Sequence, residues 1–205
     1  MVYFTSLFDS KVDWLSVPTV KIESFHWENS RPFRPASFAQ FCGIRGHGLS
    51  AKLWSFEENP RCVNIQRDDP VYEDSCLELF LQPVQGNPSY INFEMNCKGA
   101  YLSQFGKERG GRIFLKDLSS IEPRITCFKT SNNNNTAWGV EILIPDTLIS
   151  EVYGVSYTTA PCEIKGNFYK CGDKTQIPHY AAFFPAGSVE LGFHNPACFG
   201  KIIIN

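Results

Sequence analysis

Residues 72–99, YEDSCLELFLQPVQGNPSYINFEMNCKG, decide how this chain is read. In the second arm Ile91, Phe93, Met95 and Cys97 alternate with Tyr90, Asn92, Glu94 and Asn96. That period of two marks a strand with one packed and one polar face. In the first arm Leu77, Leu79 and Leu81 form the apolar set, and Cys76, Glu78, Phe80 and Gln82 lie opposite. The GNPS segment between the arms has the chemistry of a hairpin connection. If Gln82 pairs with Tyr90, Glu78 stands directly opposite Glu94 on the polar face. Like charges facing each other across a ladder destabilise it, so the pair needs a reason to exist.

Outward from this hairpin the punctuation is that of an all-β protein. Further strands are expected over Val20–Trp27, Leu49–Glu57, Arg112–Lys116, Arg124–Phe128, Trp138–Ile144, Ile164–Cys171, Ala181–Phe184 and Lys201–Ile204. They are rich in β-branched and aromatic residues and are separated by turn segments such as ENPR, KERGGR and SNNNN. Trp138, Val140, Ile142 and Ile144 alternate with Gly139, Glu141 and Leu143. Pro145–Tyr153 reads as one short helix with Pro145 in its first turn. The expected fold is a two-sheet antiparallel β-sandwich of jelly-roll or immunoglobulin-like type, spanning residues 1–205 as a single domain. The SNNNN run reads as a loop tip, and Asn134 heads an N-x-T sequon that matters only in a secreted eukaryotic protein.

Composition narrows the function classes. The 205 residues are 43% hydrophobic, 20% charged and 14% aromatic, with a formal net charge of -2. No basic block or stripe marks a nucleic-acid partner. No stretch reaches the roughly 20 apolar residues that a membrane span needs. The opening MVYFTSLFDSKVDW has no basic segment followed by an apolar run, so the chain is expected in the cytoplasm, or outside the cell if a leader was removed. The eight cysteines are accordingly expected as free thiols, and Cys76 and Cys97 point to opposite faces of the hairpin.

The polar strand faces carry the candidate chemistry. Glu78, Asn92, Glu94 and Asn96 come from the hairpin; Asn167, Tyr169 and Cys171 share a face opposite Ile164 and Phe168; Lys52, Trp54 and Phe56 lie opposite Leu49, Ala51 and Leu53. Amides, carboxylates and rings interleaved on a sheet suit a sugar, whose hydroxyls need planar polar partners and whose apolar face needs a flat ring. The facing glutamates admit three readings. They could be the acid and nucleophile of a retaining glycosidase, a structural calcium site, or a clamp on Arg109 or Arg112. Cys171, His179, His194 and Cys198 have zinc chemistry, but C-x7-H-x14-H-x3-C lacks the close ligand pairs of familiar zinc modules, so no metal site is expected there. No phosphate-cradling loop is present, and GIRGHG follows no strand-to-helix context.

PVYEDSCLELFLQP followed by YINFEMNCKG resembles the core of the family 9 carbohydrate-binding modules, and more closely a branch of single-domain proteins with that DOMON-like β-sandwich fold. ENPR ahead of it, then GNFYKCGDKTQIPHYAAFFP and FHNPACFGKIII, extend the likeness from about Phe25 to the C-terminus in the same order. The resemblance implies a non-catalytic module that grips the end of a glucan or xylan chain between two aromatic rings. Carried over by motif, Tyr72 and Phe183 are the clamp, Glu78 is the family's strand acid, and Arg109 and Arg112 lie where a sugar-contacting arginine arises. Asn92, Asn167 and Tyr169 join them as expected ligand-binding residues. Phe183 stands where the family carries tryptophan, so stacking is expected to be weaker. No cofactor is expected. Similar sandwiches hold haem, but the methionines here are only Met1 and Met95. Two other functions stay open: a glycoside-active enzyme using Glu78 and Glu94, and an interaction domain that has lost its sugar.

Overall fold

A computed structural model of the chain describes residues 1–27, 32–132, 135–187 and 190–205. In chain order its first strands are β1 (Val2–Thr5), β2 (Leu7–Phe8), β3 (Val20–Lys21), β4 (Ser37–Ile44), β5 (Gly48–Phe56), β6 (Cys76–Gln82) and β7 (Tyr90–Asn96). They are followed by β8 (Tyr101–Gly106), β9 (Ile113–Phe114), β10 (Arg124–Asn132), β11 (Asn135–Pro145), the helix α1 (Asp146–Tyr153), β12 (Cys162–Cys171), β13 (Tyr180–Ala182) and β14 (Gly200–Ile204). One sheet runs β1-β14-β12-β6-β7-β8-β9, with β13 continuing along β12 where β14 leaves it. The other runs β10-β11-β5-β4-β2, with β3 also on β4. Asn134, head of the sequon, and Asn133 lie outside the described residues.

The hairpin forms in the expected register, with Glu78 opposite Glu94. Leu77, Leu79, Leu81, Ile91, Phe93 and Met95 project inward against Phe41, Leu49, Leu53, Val140 and Ile142 of the facing sheet, and all are buried. Sequestering each such side chain contributes about 1.5–3 kcal/mol, which makes the inter-sheet layer the main source of cohesion. The helix begins after Pro145 and ends at Gly154, whose positive φ of 64° supplies the left-handed cap.

The sandwich departs from a purely antiparallel one at its start. β1 lies parallel to β14 and, one residue later, β2 lies parallel to β4. The chain therefore crosses from the edge of one sheet to the edge of the other within the first eight residues. Three other expectations change. The strand expected over Val20–Trp27 shortens to β3, because after Lys21 the backbone leaves β4 and Ser24 bridges to Ala182 of the opposite sheet. Arg112–Lys116 yields only β9 before a 3-10 turn at Leu115–Asp117. β1, β2, β4 and β8 were not foreseen. All eight cysteines are free, and among the described residues no helix is long and apolar enough to cross a membrane.

Candidate functional site

The outward face of β6, β7 and β12 is not left to water. Cys76, Phe80, Tyr90, Tyr169 and Cys171 build a second apolar layer there with Tyr180, Phe193 and Phe199 from the C-terminal third. Tyr169 and Phe193 stack with ring centroids 4.2 Å apart and planes 15° from parallel. The Tyr90 hydroxyl and His194 Nδ1 share a 2.8 Å hydrogen bond that fastens the same segment to β7. Where this cover stops, a cleft of about 480 Å³ opens. Its floor includes Glu78, Glu94 and Cys171, its walls Phe80, Tyr180, Phe193 and His194, and its rim Tyr72, Arg109 and Asp173.

Both glutamates are almost wholly buried. Burial pushes the Glu78 carboxyl well above its ordinary 4.5, and the nearby Cys171 and Glu94 push it further. Burial likewise pushes Glu94 up to about 7. This bears on the question posed by the opposed acids: burial favours the protonated form of each carboxyl, which weakens the repulsion of two facing anions. Cys171 Sγ donates to Glu78 Oε1 at 2.8 Å. Asn92 Nδ2 donates to Glu94 Oε1 at 2.9 Å, whereas the buried Oε2 of Glu94 has no hydrogen-bond partner among the described residues. His194 is kept neutral by burial and by Arg112 and Arg109, its pKa lowered to about 3.

The arginines divide. Among the described residues neither forms an ion pair with Glu78 or Glu94. Arg112 reaches Glu94 through an intermediary: its Nη2 donates to Asn92 Oδ1 at 2.5 Å, and to the carbonyls of Gln104 and Tyr90 at 3.0 and 3.3 Å. Its guanidinium also sits 4.1 Å from the centre of the Tyr90 ring, a cation–π contact. Arg109 is exposed at the rim, donating to the Leu191 carbonyl at 3.2 Å.

Of the expected site residues, the cleft brings together Tyr72, Glu78 and Arg109, with Asn92 and Arg112 directly behind Glu94. Tyr72 lies on the 3-10 turn Val71–Glu73, is 38% exposed, and is held by Asp173 N donating to its carbonyl at 3.1 Å. Three residues lie elsewhere. Phe183 packs among Tyr3, Phe168 and Phe184 on the inter-sheet side, so it cannot face Tyr72 across the cleft. Alternation along the strand explains this: Tyr180 and Ala182 point outward, Ala181 and Phe183 inward. Asn167 is spent on the backbone, accepting from Phe168 N and Phe184 N and donating to the Phe184 carbonyl, all at 2.9 Å. Tyr169 is fully buried beneath Phe193.

Other motif residues hold the frame. Asp74 is wholly buried, accepts from Val63 N and Asn64 N, and pairs with Arg61 at 3.4 Å, which fixes the loop ahead of β6. Asn96 donates to Asp74 at 3.1 Å and belongs to that brace. Lys170, Glu57 and His179 form a separate buried network, with Lys170 Nζ 3.1 Å from Glu57 and 2.8 Å from His179 Nε2. The four-residue zinc pattern is therefore dispersed: His179 sits with Lys170, His194 with Tyr90, Cys171 with Glu78, and Cys198 with Gly187 N. Asp68, Gln104, Asp173, Tyr180 and Phe193 line the cleft without having been singled out. Tyr180 could have been found from period two within HYAAFF, and Gln104 lies on the unforeseen β8; Asp68, Asp173 and Phe193 come from loops, whose placement no periodicity reports.

The model of the carbohydrate-binding family 9 matches residues 7–204. No curated protein matches the chain by sequence. Among solved structures, a protein of Bacteroides uniformis ATCC 8492, provisionally described as carbohydrate-binding, is similar with a TM-score of 0.81 and 23% identity, over 100% of this chain and 99% of that one. A family 9 module from Caldicellulosiruptor kristjanssonii in complex with glucose gives a TM-score of 0.64 at 11% identity, over 100% and 96%. With cellotriose bound, the corresponding values are 0.63, 11%, 100% and 93%. At these identities the likeness is one of fold.

Proposed function

The chain belongs to carbohydrate-binding family 9, and from that premise we propose that its cleft binds the end of a glucan- or xylan-type chain without cleaving it. One observation carries the reading: an exposed aromatic ring, Tyr72, borders a cleft whose floor presents a buried carboxylate oxygen, Glu94 Oε2, with no hydrogen-bond partner among the described residues. A pyranose laid on Tyr72 directs its hydroxyls toward Glu94 and Glu78, with Arg109, Asp173 and Gln104 within the same lining. Arg112 and Asn92 act from behind, holding Glu94 in place. Tyr180 and Phe193 supply the apolar wall that the expected Phe183 does not. The glucose and cellotriose held by the Caldicellulosiruptor kristjanssonii module support the glucan class.

A glycosidase reading is disfavoured by the carboxyls themselves. A retaining nucleophile must be ionised, whereas both Glu78 and Glu94 are pushed upward by burial. Calorimetric titration with glucose, cellobiose, cellotriose and xylobiose tests the proposal. Saturable binding of one class, with no hydrolysis of the oligosaccharide, is the expected result. A folded protein silent across the panel would overturn it.

A further inference from the structure

We propose that Cys76, Glu78 and Cys171 form a site for one thiophilic divalent cation, zinc by its ligand chemistry, set into the floor of the cleft. Cys76 on β6 and Cys171 on β12 are direct cross-strand partners, and Glu78 follows Cys76 by two residues on the same face. The two sulfurs and a carboxylate oxygen consequently converge, all within 4.8 Å of one another, and Cys171 Sγ lies 2.8 Å from Glu78 Oε1. The three residues are 0, 3 and 2% exposed, so the donors sit on fixed backbone in a site poor in water.

The donor set selects the metal. Zinc takes thiolate sulfur at about 2.3 Å and carboxylate oxygen at about 2.0–2.2 Å, which places tetrahedral ligands roughly 3.3–3.8 Å apart. Reaching that spacing requires the Cys171 sulfur and the Glu78 oxygen, 2.8 Å apart, to separate by about 0.5–1 Å through side-chain rotation. Calcium is disfavoured, because it takes six to eight oxygens and two of these three donors are sulfur. Binding displaces the two thiol protons to solvent, leaving two thiolates and a carboxylate on the ion.

A second feature lies at the same place, the unpartnered Glu94 oxygen on which the sugar-binding reading also rests. Glu78 and Cys171 line the cleft, so the fourth coordination position opens into it. Across the ladder from Glu78 stands Glu94, 4% exposed, whose Oε2 has no hydrogen-bond partner among the described residues. A metal-bound water would find there the acceptor that orients it. On the opposite side Lys170 Nζ donates to the Cys171 carbonyl at 2.8 Å, placing a cation beside a ligand set of net negative charge.

The test uses the whole chain, kept reduced, stripped with chelator and titrated with Co²⁺ as a spectroscopic substitute for zinc. The expected result is one equivalent bound, with sulfur-to-cobalt charge-transfer absorption and tetrahedral visible bands, both abolished by an equivalent of Zn²⁺. Cys171→Ser and Glu78→Gln should each weaken binding at least about tenfold, the loss typical of changes even to residues behind the ligands. Cys62, Cys97 and Cys127 interact with one another and are the competing thiol cluster; Cys62→Ser should leave the spectrum unchanged. Absence of a sulfur-to-cobalt band in the folded wild-type chain would overturn the site. So would a band lost with Cys62→Ser but retained in Cys171→Ser. No sugar enters the measurement, so its outcome is separate from that of the sugar-binding proposal.

Discussion

Glu78 and Glu94 face each other across β6 and β7, both buried, and the proton they hold links stability to pH. Glu94 keeps its proton to about pH 7 in the folded chain, against an ordinary value of 4.5. Between those values the unfolded chain has released a proton that the folded chain retains. The associated stability is complete below 4.5 and is lost as pH rises to about 7, by at most about 1.4 kcal/mol per pH unit. Glu78, also pushed up by burial, acts in the same direction. Glu57 works in the opposite sense. Burial raises its carboxyl, but the Lys170 ammonium and His179 outweigh that, so its contribution is lost below 4.5. Urea unfolding at a series of pH values should show stability declining from about pH 5 to about pH 8, and Glu94→Gln should flatten the decline. Parallel profiles for the two proteins would contradict the assignment.

Tyr72 should matter for ligand and hardly for stability, because its ring is exposed at the rim. Tyr72→Ala is expected to weaken sugar binding about tenfold, roughly 1.4 kcal/mol, with the melting temperature nearly unchanged. Calorimetry and a thermal melt on the same preparation separate the two effects.

Phe183 should behave in the reverse way. Its contacts are Tyr3, Phe168 and Phe184 on the inter-sheet side. Phe183→Ala is expected to cost about 3 kcal/mol of stability, the lower end for phenylalanine truncation, since the residue is only partly buried. Affinity per folded molecule should be unchanged. A selective loss of affinity would return Phe183 to the sugar site.

Asp74 should prove a structural acid. It satisfies the amides of Val63 and Asn64 and the side chain of Asn96 from a fully buried position. Asp74→Ala leaves those donors without their acceptor and Arg61 without its counter-charge, at an expected cost of about 3 kcal/mol. Denaturant unfolding measures it, and a loss near zero would mean that water replaces the carboxylate.

Where period two holds over several residues, the sequence was legible. β6, β7, β11 and the inward set of β12 follow their alternation, and the opposition of Glu78 and Glu94 is visible from the hairpin register alone. β4 was hidden because SFAQFCGI, buried along nearly its whole length, shows no alternation. β8 was hidden by its shortness, by Gly99 ahead of it and by Gly106 as its last residue, although Tyr101 and Phe105 do pack inward. At the cleft, the acids and Tyr72 were accessible through motif order. Phe183 falls at the family's clamp position, but alternation within HYAAFF turns it to the inter-sheet side with Ala181 and leaves Tyr180 facing the cleft. Loop residues such as Asp68, which holds a positive φ of 64° and pairs with Lys116 at 2.9 Å, owe their place to tertiary contacts that no local pattern encodes.

The first strand also closes the edge of its sheet. Val2 lies against Lys201 and Thr5 against Ile204, and Leu7 N donates to the Asn205 carbonyl at 2.8 Å. Pairings between residues so far apart in sequence carry a large loop-closure entropy and belong to the slow steps of β-sheet folding. β1 covers the outer edge of β14, whose other side is paired to β12. Without it that edge would be an open row of backbone donors and acceptors, a template for another chain. The first strand therefore also serves as a guard against edge-to-edge association.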